Sequence, residues 1–191
     1  MLRRTLLTLV AAATLAAGSI SDASPAPAEE NVCEAEMIRA AAAHDVPLAV
    51  LFAVGLTETG RRGNLHPYAL NIAGRSFFGT SREEALAEFE RSRAAGVKLI
   101  DLGCMQINHY WHGQEFDTVA DMLDPEKNVT YAALFLERLR ARHGSWTLAV
   151  ARYHAGPRNT PAQKRYVCAV IRHMVSSGMG AWTPNARAFC G

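Results

Sequence analysis

The sequence contains no apolar run long enough to cross a membrane. The longest run, residues 5–17, follows Arg3 and Arg4 and is shorter than the roughly 20 residues that a spanning helix needs. A short apolar run after a basic start is typical of an export signal. We predict cleavage after Ala23, with Ala28 as a later alternative, and export to the periplasm. An uncleaved anchor is the other reading, but nothing beside the run indicates a stop-transfer helix.

The chain also lacks a strong excess of either charge. Its 191 residues contain 20 Lys and Arg and 18 Asp and Glu, which gives a formal net charge of +2 at pH 7. Proteins that bind a polyanion mainly through charge carry a clear basic excess. The composition therefore disfavours nucleic acid as a ligand.

Cysteine is scarce, and the four that occur have no close paired spacing. Zinc-binding cysteines usually come in close pairs, so we predict no metal site and no cofactor. In an exported chain, four cysteines indicate two disulfides. Three pairings are possible, and sequence alone does not choose among them. Our working hypothesis joins Cys33 to Cys104 and Cys168 to Cys190.

Neither a strand-helix alternation nor a repeat of 20 to 50 residues is visible, so the sequence disfavours a parallel sheet and a repeat array. After the signal peptide (1–23) we expect a leader and first helix (24–40) and one domain (41–191). Apolar spacing and capping signals predict helices over residues 33–43, 47–59, 81–96, 125–143, 146–154 and 161–175. Gly, Pro and Asn within residues 61–80 predict a loop with a small β-hairpin, and residues 97–102 an extended return. The fold class is therefore mainly α, with a small β part (α+β).

A single carboxylate stands out in the second helix. Glu58 falls in the last turn of an apolar helix, which Asp45 can cap, Pro47 can begin and Gly60 can end. Leu51 and the residues around it form an almost continuous apolar body, so the carboxylate should lie on or beside a packed face. Burial and the negative end of the helix dipole both favour the protonated form. Such a residue can act as a general acid in glycoside cleavage, although a helix-end glutamate at the surface is the simpler reading.

Three further segments follow Glu58 in order. They are GCMQIN at 103–108, Asp124-Pro125 with Asn128-Val129, and ARYHAGP at 151–157. With Glu58 they resemble lytic transglycosylases of the soluble-lytic-transglycosylase type, which belong to the lysozyme-like superfamily. The resemblance extends over residues 41–170 and implies a lysozyme-like fold with a small hairpin region after the catalytic helix.

The resemblance also implies roles for particular residues. Glu58 would be the catalytic acid and then the base. Thr59 would stand where the family usually has Ser, and it would either bond the carboxylate or cap the helix end. His154 replaces the usual Asn, Cys104 the usual Leu, and Phe135 a Tyr. The implied substrate-binding residues are Thr59, Met105, Gln106, Asn108, Tyr153 and His154.

The implied reaction is cleavage of the β-1,4 bond from N-acetylmuramic acid to N-acetylglucosamine in peptidoglycan, leaving 1,6-anhydro ends. A hydrolase would need a second carboxylate. Asp101 is retained as a candidate near the cleft, whereas Asp117 and Asp121 are expected in solvated loops. His109 and His112 are spaced like metal ligands, but no third ligand accompanies them, so we expect solvated histidines.

The small size, the export signal and the long separation between Glu58 and Gln106 resemble specialised transglycosylases of flagella, conjugation and secretion systems. We therefore expect glycan strands as substrate, a machine protein as a possible partner, and a monomer. A hydrolytic muramidase and a non-catalytic peptidoglycan-binding assembly factor are the alternatives.

Overall fold

The computed structural model describes residues 31–59, 64–156 and 158–191. The predicted signal peptide and the leader up to residue 30 lie outside these residues. Within them, no helix is both long enough and apolar enough to span a bilayer.

The helical part matches the expected fold class, which is confirmed. The helices are α1 (Val32–Ala43), α2 (Leu48–Thr59), α3 (Arg82–Ala94), α4 (His109–His112), α5 (Val119–Met122), α6 (Pro125–His143), α7 (Trp146–His154), α8 (Thr160–Ser176) and α9 (Pro184–Cys190). Helices α4, α5 and α9 were not predicted, because each spans only one or two turns and carries little periodicity.

Local signals explain where the long helices begin and end. Asp124 accepts a hydrogen bond from the Lys127 amide and caps α6, Pro125 occupies its first turn, and Gly144 ends it with φ of 81°. The start of α2 differs from the expectation. Asp45 does not cap this helix, because it lies in the preceding turn with φ of 50°. The helix begins directly after Pro47, whose carbonyl accepts the first helical hydrogen bonds.

The β part is larger than one hairpin. Strands β1 (Ala69–Ile72) and β2 (Arg75–Phe78) form the expected hairpin, and β3 (Ile100–Leu102) and β4 (Ile107–Asn108) extend it. All neighbours are antiparallel, in the order β2-β1-β3-β4. The residue at the centre of β3, Asp101, therefore lies opposite Asn71 of β1 on one side and opposite Asn108 of β4 on the other.

Helix α2 runs through the core and ends at the site described below. Its buried residues pack against α1 and α8. Gly55 permits close packing here, because a Cβ there would lie 2.4 Å from Met37 Cε and 3.3 Å from Met105 Sδ. The packing fixes the end of α2, and with it Glu58, against the segment that carries Met105.

Two disulfides join distant elements. Cys33 of α1 pairs with Cys104, and Cys168 of α8 pairs with Cys190 of α9, as in the working hypothesis. The first pair is fully buried and fixes the GCMQIN segment to the N-terminal helix. The second closes a loop with a sequence separation of 22, worth about 3 kcal/mol in the chain-entropy model.

Candidate active site

One cleft brings together most of the residues implied by the resemblance. It has a volume of about 280 Å³ and lies between the end of α2, the sheet, α4 and α7. Its lining consists mainly of polar and aromatic side chains: Glu58, Asn71, Leu99, Asp101, Gln106, Ile107, Asn108, Trp111, His112, Phe135, Tyr153 and His154. Glu58, Gln106, Asn108, Tyr153 and His154 thus share one site, although up to 96 residues separate them along the chain (154 minus 58).

Glu58 has the electrostatic character of a general acid. Its pKa is raised from 4.5 to about 7, mainly by burial and to a smaller extent by the negative charge of Asp101. The Tyr166 hydroxyl donates a hydrogen bond to Glu58 Oε1 over 2.5 Å, which favours the carboxylate and opposes the shift. Desolvation is the largest of these effects. Near neutral pH the group is therefore close to half protonated and can both give and take a proton.

Tyr166 is the functional residue that the sequence analysis missed. It lies in α8, within the helix predicted over residues 161–175, and it is buried. The hydroxyl of a buried phenol almost always needs a hydrogen-bond partner. This need was the only indication in the sequence that Tyr166 has a partner in the site. That the partner is Glu58, 108 residues away, depends on how α8 packs against α2.

The ring of His154 packs against the ring of Tyr166. The two rings stack with centroids 4.2 Å apart and planes within 3° of parallel. Burial lowers the pKa of His154, so its ring is neutral at neutral pH. The histidine that replaces the family's Asn therefore fixes the orientation of the phenol that bonds the acid, and it also borders the cleft.

Tyr153 lines the cleft, and its hydroxyl is bonded to the backbone. Its hydroxyl donates to the Met105 carbonyl over 2.8 Å and makes no hydrogen bond to Glu58. Burial and the charge of Glu58 hold the pKa of the phenol well above its usual range. Tyr153 thus lines the cleft as a neutral ring and ties α7 to the GCMQIN segment.

A buried amide fixes the conformation of that segment. Asn128 is fully buried, accepts a hydrogen bond from the Met105 amide, and donates to the carbonyls of Leu102 and Met122, all within 2.9 Å. Gly103 passes so close that a Cβ would lie 2.5 Å from Asn128 Nδ2, and its φ is 79°. Only glycine fits this position without strain.

Gln106 follows with φ of 46°, a left-handed conformation that non-glycine residues seldom adopt. Its side-chain nitrogen donates to the carbonyls of Ala69 (3.0 Å) and Gly103 (3.1 Å). Both amide protons are used in this way, so the side-chain oxygen is left to accept a bond from a ligand in the cleft.

Two implied substrate-binding residues do not line the cleft. The Thr59 hydroxyl is buried and lies 3.0 Å from the Cys104 carbonyl and 3.2 Å from that of Gly55, so it ties the end of α2 to the GCMQIN segment. Met105 is fully buried and packs in the core beside Gly55. Both residues therefore support the cleft from the core of the protein.

Asp101 is a second carboxylate in the cleft. Asn108 Nδ2 donates to Asp101 Oδ1 over 2.6 Å, and Asn71 lies opposite Asp101 on β1. Burial raises the pKa of Asp101, and these two amides oppose that shift. The strand register, with Asp101 opposite both asparagines, accounts for the arrangement.

Aromatic side chains border the cleft on the α4 side. Trp111 is 63% exposed and Phe135 is half-buried. His112 and His109 are half-buried, and thus less solvated than the sequence indicated. His112 Nδ1 hydrogen-bonds the Tyr131 hydroxyl over 2.8 Å, and His109 packs edge-on against Phe89. The described residues contain no group of three His, Cys, Asp or Glu side chains that could hold a metal ion.

The comparisons with known proteins agree with this geometry. The family model described as "Transglycosylase SLT domain" matches residues 37–172, which is well over half of the chain and includes every residue of the cleft. No curated protein and no solved structure matches the chain. The match supports a peptidoglycan lytic transglycosylase type of enzyme, and the chain belongs to the transglycosylase SLT domain family.

Proposed function

We propose that this protein is an exported lytic transglycosylase that cleaves the β-1,4 bond between N-acetylmuramic acid and N-acetylglucosamine and leaves 1,6-anhydro ends. The observation that carries the proposal is the environment of Glu58. Glu58 has a pKa of about 7 and accepts a hydrogen bond from the Tyr166 hydroxyl. It lies in the cleft of a chain that belongs to the transglycosylase SLT domain family.

The chemistry requires one group that first gives and then takes a proton. Protonated Glu58 transfers its proton to the linking oxygen, the bond from that oxygen to the muramoyl anomeric carbon breaks, and the bonding electrons remain on the oxygen. The Glu58 carboxylate then removes the proton of the muramoyl 6-hydroxyl, whose oxygen bonds to the anomeric carbon. Glu58 is protonated again at the end, and no water is consumed. A pKa of about 7 suits both steps.

The cleft offers the substrate contacts that such a reaction needs. The free side-chain oxygen of Gln106 can accept a hydrogen bond from an acetamido N–H. Trp111 presents an exposed ring to a sugar face. More than half of the side chains that line the cleft are polar, as expected for a glycan strand rather than a small apolar ligand.

Replacing the acid tests the assignment of Glu58. We expect Glu58→Gln to lose activity in a peptidoglycan zymogram by at least 1000-fold, since the amide cannot donate an acidic proton, and to keep its circular dichroism spectrum. Glu126→Gln, which changes an exposed glutamate in the first turn of α6, is the matched control and should retain full activity. Unchanged lysis by Glu58→Gln would show that Glu58 is not the acid, whereas absence of lysis by the wild type would favour the non-catalytic assembly factor.

A hydrolytic muramidase on the same fold is the second candidate, and Asp101 is the observation that favours it. Glu58 and Asp101 share the cleft, and a glycoside hydrolase usually has two carboxylates in its active site. Mass spectrometry of digested sacculi separates the two reactions. The lyase gives anhydro ends, which are lighter than the reducing ends of hydrolysis by one water molecule.

We further propose that the enzyme opens local gaps for an envelope-spanning machine such as a flagellar rod, a conjugation pilus or a secretion system. The support is the predicted export signal together with the chain between Glu58 and Gln106, which includes the β1-β2 hairpin and α3. The neighbouring genes test this proposal. Genes of one such machine beside this gene would support it, and genes of general cell-wall turnover would count against it.

A further inference from the structure

The small net charge of the chain conceals a separation of charges along the sequence. All 18 Asp and Glu residues lie at or before Glu137, whereas residues 138–191 contain nine Lys and Arg and no acidic residue. This acid-free segment contains the end of α6 and all of α7, α8 and α9. A marked difference in charge between two parts of a chain indicates that the basic part meets an anionic ligand.

Four of these cations border one groove between α8 and α9. Two adjoining cavities, of about 410 and 290 Å³, share Arg172 and Cys190 and together form this basic groove. The Cys168–Cys190 disulfide joins the two helices that form its walls, so the groove is held in shape before a ligand binds. Its charged side chains are all exposed, and they are Lys164, Arg165, Arg172 and Arg187.

The positive charge of the basic groove is not neutralised from within the protein. Among the described residues, no Asp or Glu lines either cavity, and none of the four cations forms an ion pair with a carboxylate. Two of them lie over aromatic rings, Lys164 at 5.5 Å from the centre of Phe189 and Arg187 at 5.9 Å from that of Trp182. A ring orients a cation without cancelling its charge. The cations therefore repel one another, and an anion in the groove would relieve this repulsion.

The basic groove lies on the face of α8 that points away from the catalytic centre. Lys164, Cys168 and Arg172 recur at intervals of four residues, which places them on one face of the helix. Tyr166, which bonds Glu58, stands midway between the first two and therefore lies on the opposite face. Ligands can thus occupy the groove and the cleft at the same time.

We propose that the basic groove is a second peptidoglycan-binding site, which takes the carboxylates of the stem peptides, the short peptides that branch from the glycan, while the cleft holds the glycan itself. The inference rests on the proposed function, because that function puts this polymer around the enzyme. Stem peptides carry several free carboxylates on a short chain, and guanidinium groups bind carboxylates through two parallel hydrogen bonds. A polymer with many stems can fill both sites at once, which raises the overall affinity without a new contact in the cleft.

The form of the basic groove favours a short peptide over a membrane surface. A concave site of this size suits a few residues of extended chain, whereas a bilayer presents a flat face. With seven residues, α9 offers too little apolar surface to anchor the protein in a bilayer interface. The ring of Trp182 is half-buried beside Arg187 and is not free to insert.

Binding to purified sacculi tests the proposal. Glu58→Gln serves as the parent, because it should bind the polymer without cutting it. Adding Arg172→Gln and Arg187→Gln should weaken cosedimentation with protease-treated sacculi by about 10-fold or more, since two charge-assisted contacts are lost. Arg82→Gln with Arg142→Gln removes the same charge from exposed positions outside the groove and is the matched control, with little change in binding. Equal binding by the groove variant and the parent would overturn the proposal.

A change to the polymer tests the same contact without a change in the groove. A carbodiimide with ammonium converts the carboxyl groups of the stem peptides to amides and leaves the glycan intact. Amidation should weaken binding of the parent by about 10-fold and should leave binding of the groove variant nearly unchanged, because the charges that the groove recognises are gone. Binding of the parent that amidation does not weaken would contradict the proposal.

Vesicles of phosphatidylglycerol and phosphatidylcholine test the alternative of a membrane surface. The parent should bind intact sacculi more tightly than these vesicles. Tighter binding to the vesicles, lost in the groove variant, would overturn the proposal and assign the basic groove to a membrane.

Binding and products together distinguish failure of this inference from failure of the proposed function. Anhydro ends from the wild type, with equal sacculus binding by the parent and the groove variant, would overturn the second site and leave the lyase reaction standing. Reducing ends alone, or no lysis, with binding that depends on Arg172 and Arg187 would overturn the reaction and leave the second site standing.

Discussion

The raised pKa of Glu58 makes a stability prediction that needs no substrate. In the folded protein the pKa is about 7, whereas its ordinary value is 4.5. Between these two pH values the folded protein holds a proton that the unfolded chain has released. The free energy of unfolding must therefore fall as the pH rises through this interval. Below pH 4.5 both states are protonated, and Glu58 imposes no penalty.

The size of the penalty follows from the same two values. Each unit of difference between the folded and unfolded pKa corresponds to about 1.4 kcal/mol of unfolding free energy. The difference for Glu58 therefore lowers the stability by at most roughly 3 kcal/mol at pH 8. Glu58→Gln is neutral at every pH and nearly isosteric, and its side-chain oxygen can still accept the Tyr166 hydroxyl. Relative to the wild type, the variant should therefore gain up to about 3 kcal/mol of stability between pH 4 and pH 8.

Urea unfolding at pH 4, 5, 6, 7 and 8 measures this gain as a difference between variant and wild type, so that other titrating groups largely cancel. The exposed Glu126→Gln is again the control and should show a difference that does not depend on pH. A constant or shrinking advantage of Glu58→Gln across this range would refute the claim that the folded protein raises the Glu58 pKa.

Three further substitutions test the contacts behind the site. Tyr166→Phe removes a bond that favours the carboxylate, so the alkaline limb of the activity profile, which reports Glu58, should move up by about one pH unit; a downward shift would contradict this. Gly103→Ala should cost about 3 kcal/mol or more in urea unfolding, against about 1 kcal/mol for Gly144→Ala, which also has positive φ but has open space around it. Equal costs would show that the close contact is unimportant. Thr59→Val should lower the unfolding free energy by about 1 to 2 kcal/mol, and Thr59→Ser, which keeps the hydroxyl, should lower it much less. Equal losses would show that the hydroxyl does not stabilise the fold.

The parts of the fold that local signals determine could be predicted from the sequence. Asp124, Pro125 and Gly144 bound α6 because a cap, a fixed φ and a left-handed residue each act within one turn. The apolar sequence around Glu58 likewise indicated a packed helix. A helix that is apolar on all sides must be buried, whichever elements pack against it.

Contacts between distant segments could not be predicted in this way. Periodicity places Tyr166 on an inner face of α8 but does not reveal that α8 packs against the end of α2. The place of Asp101 in the cleft depends on the register of β3 with two neighbouring strands, which a three-residue strand does not specify on its own. Met105 was expected in the cleft, but the direction of its side chain follows from the backbone at Gly103 and Gln106, where φ is positive.

The enzyme's reaction is tested most directly by digesting purified sacculi in water enriched in ¹⁸O. If Glu58 transfers the proton and the muramoyl 6-hydroxyl attacks the anomeric carbon, the new ends are 1,6-anhydro and carry no ¹⁸O, because no water enters the product. New reducing ends that carry one ¹⁸O atom each, without anhydro ends, would show that water is the attacking group and would contradict the account.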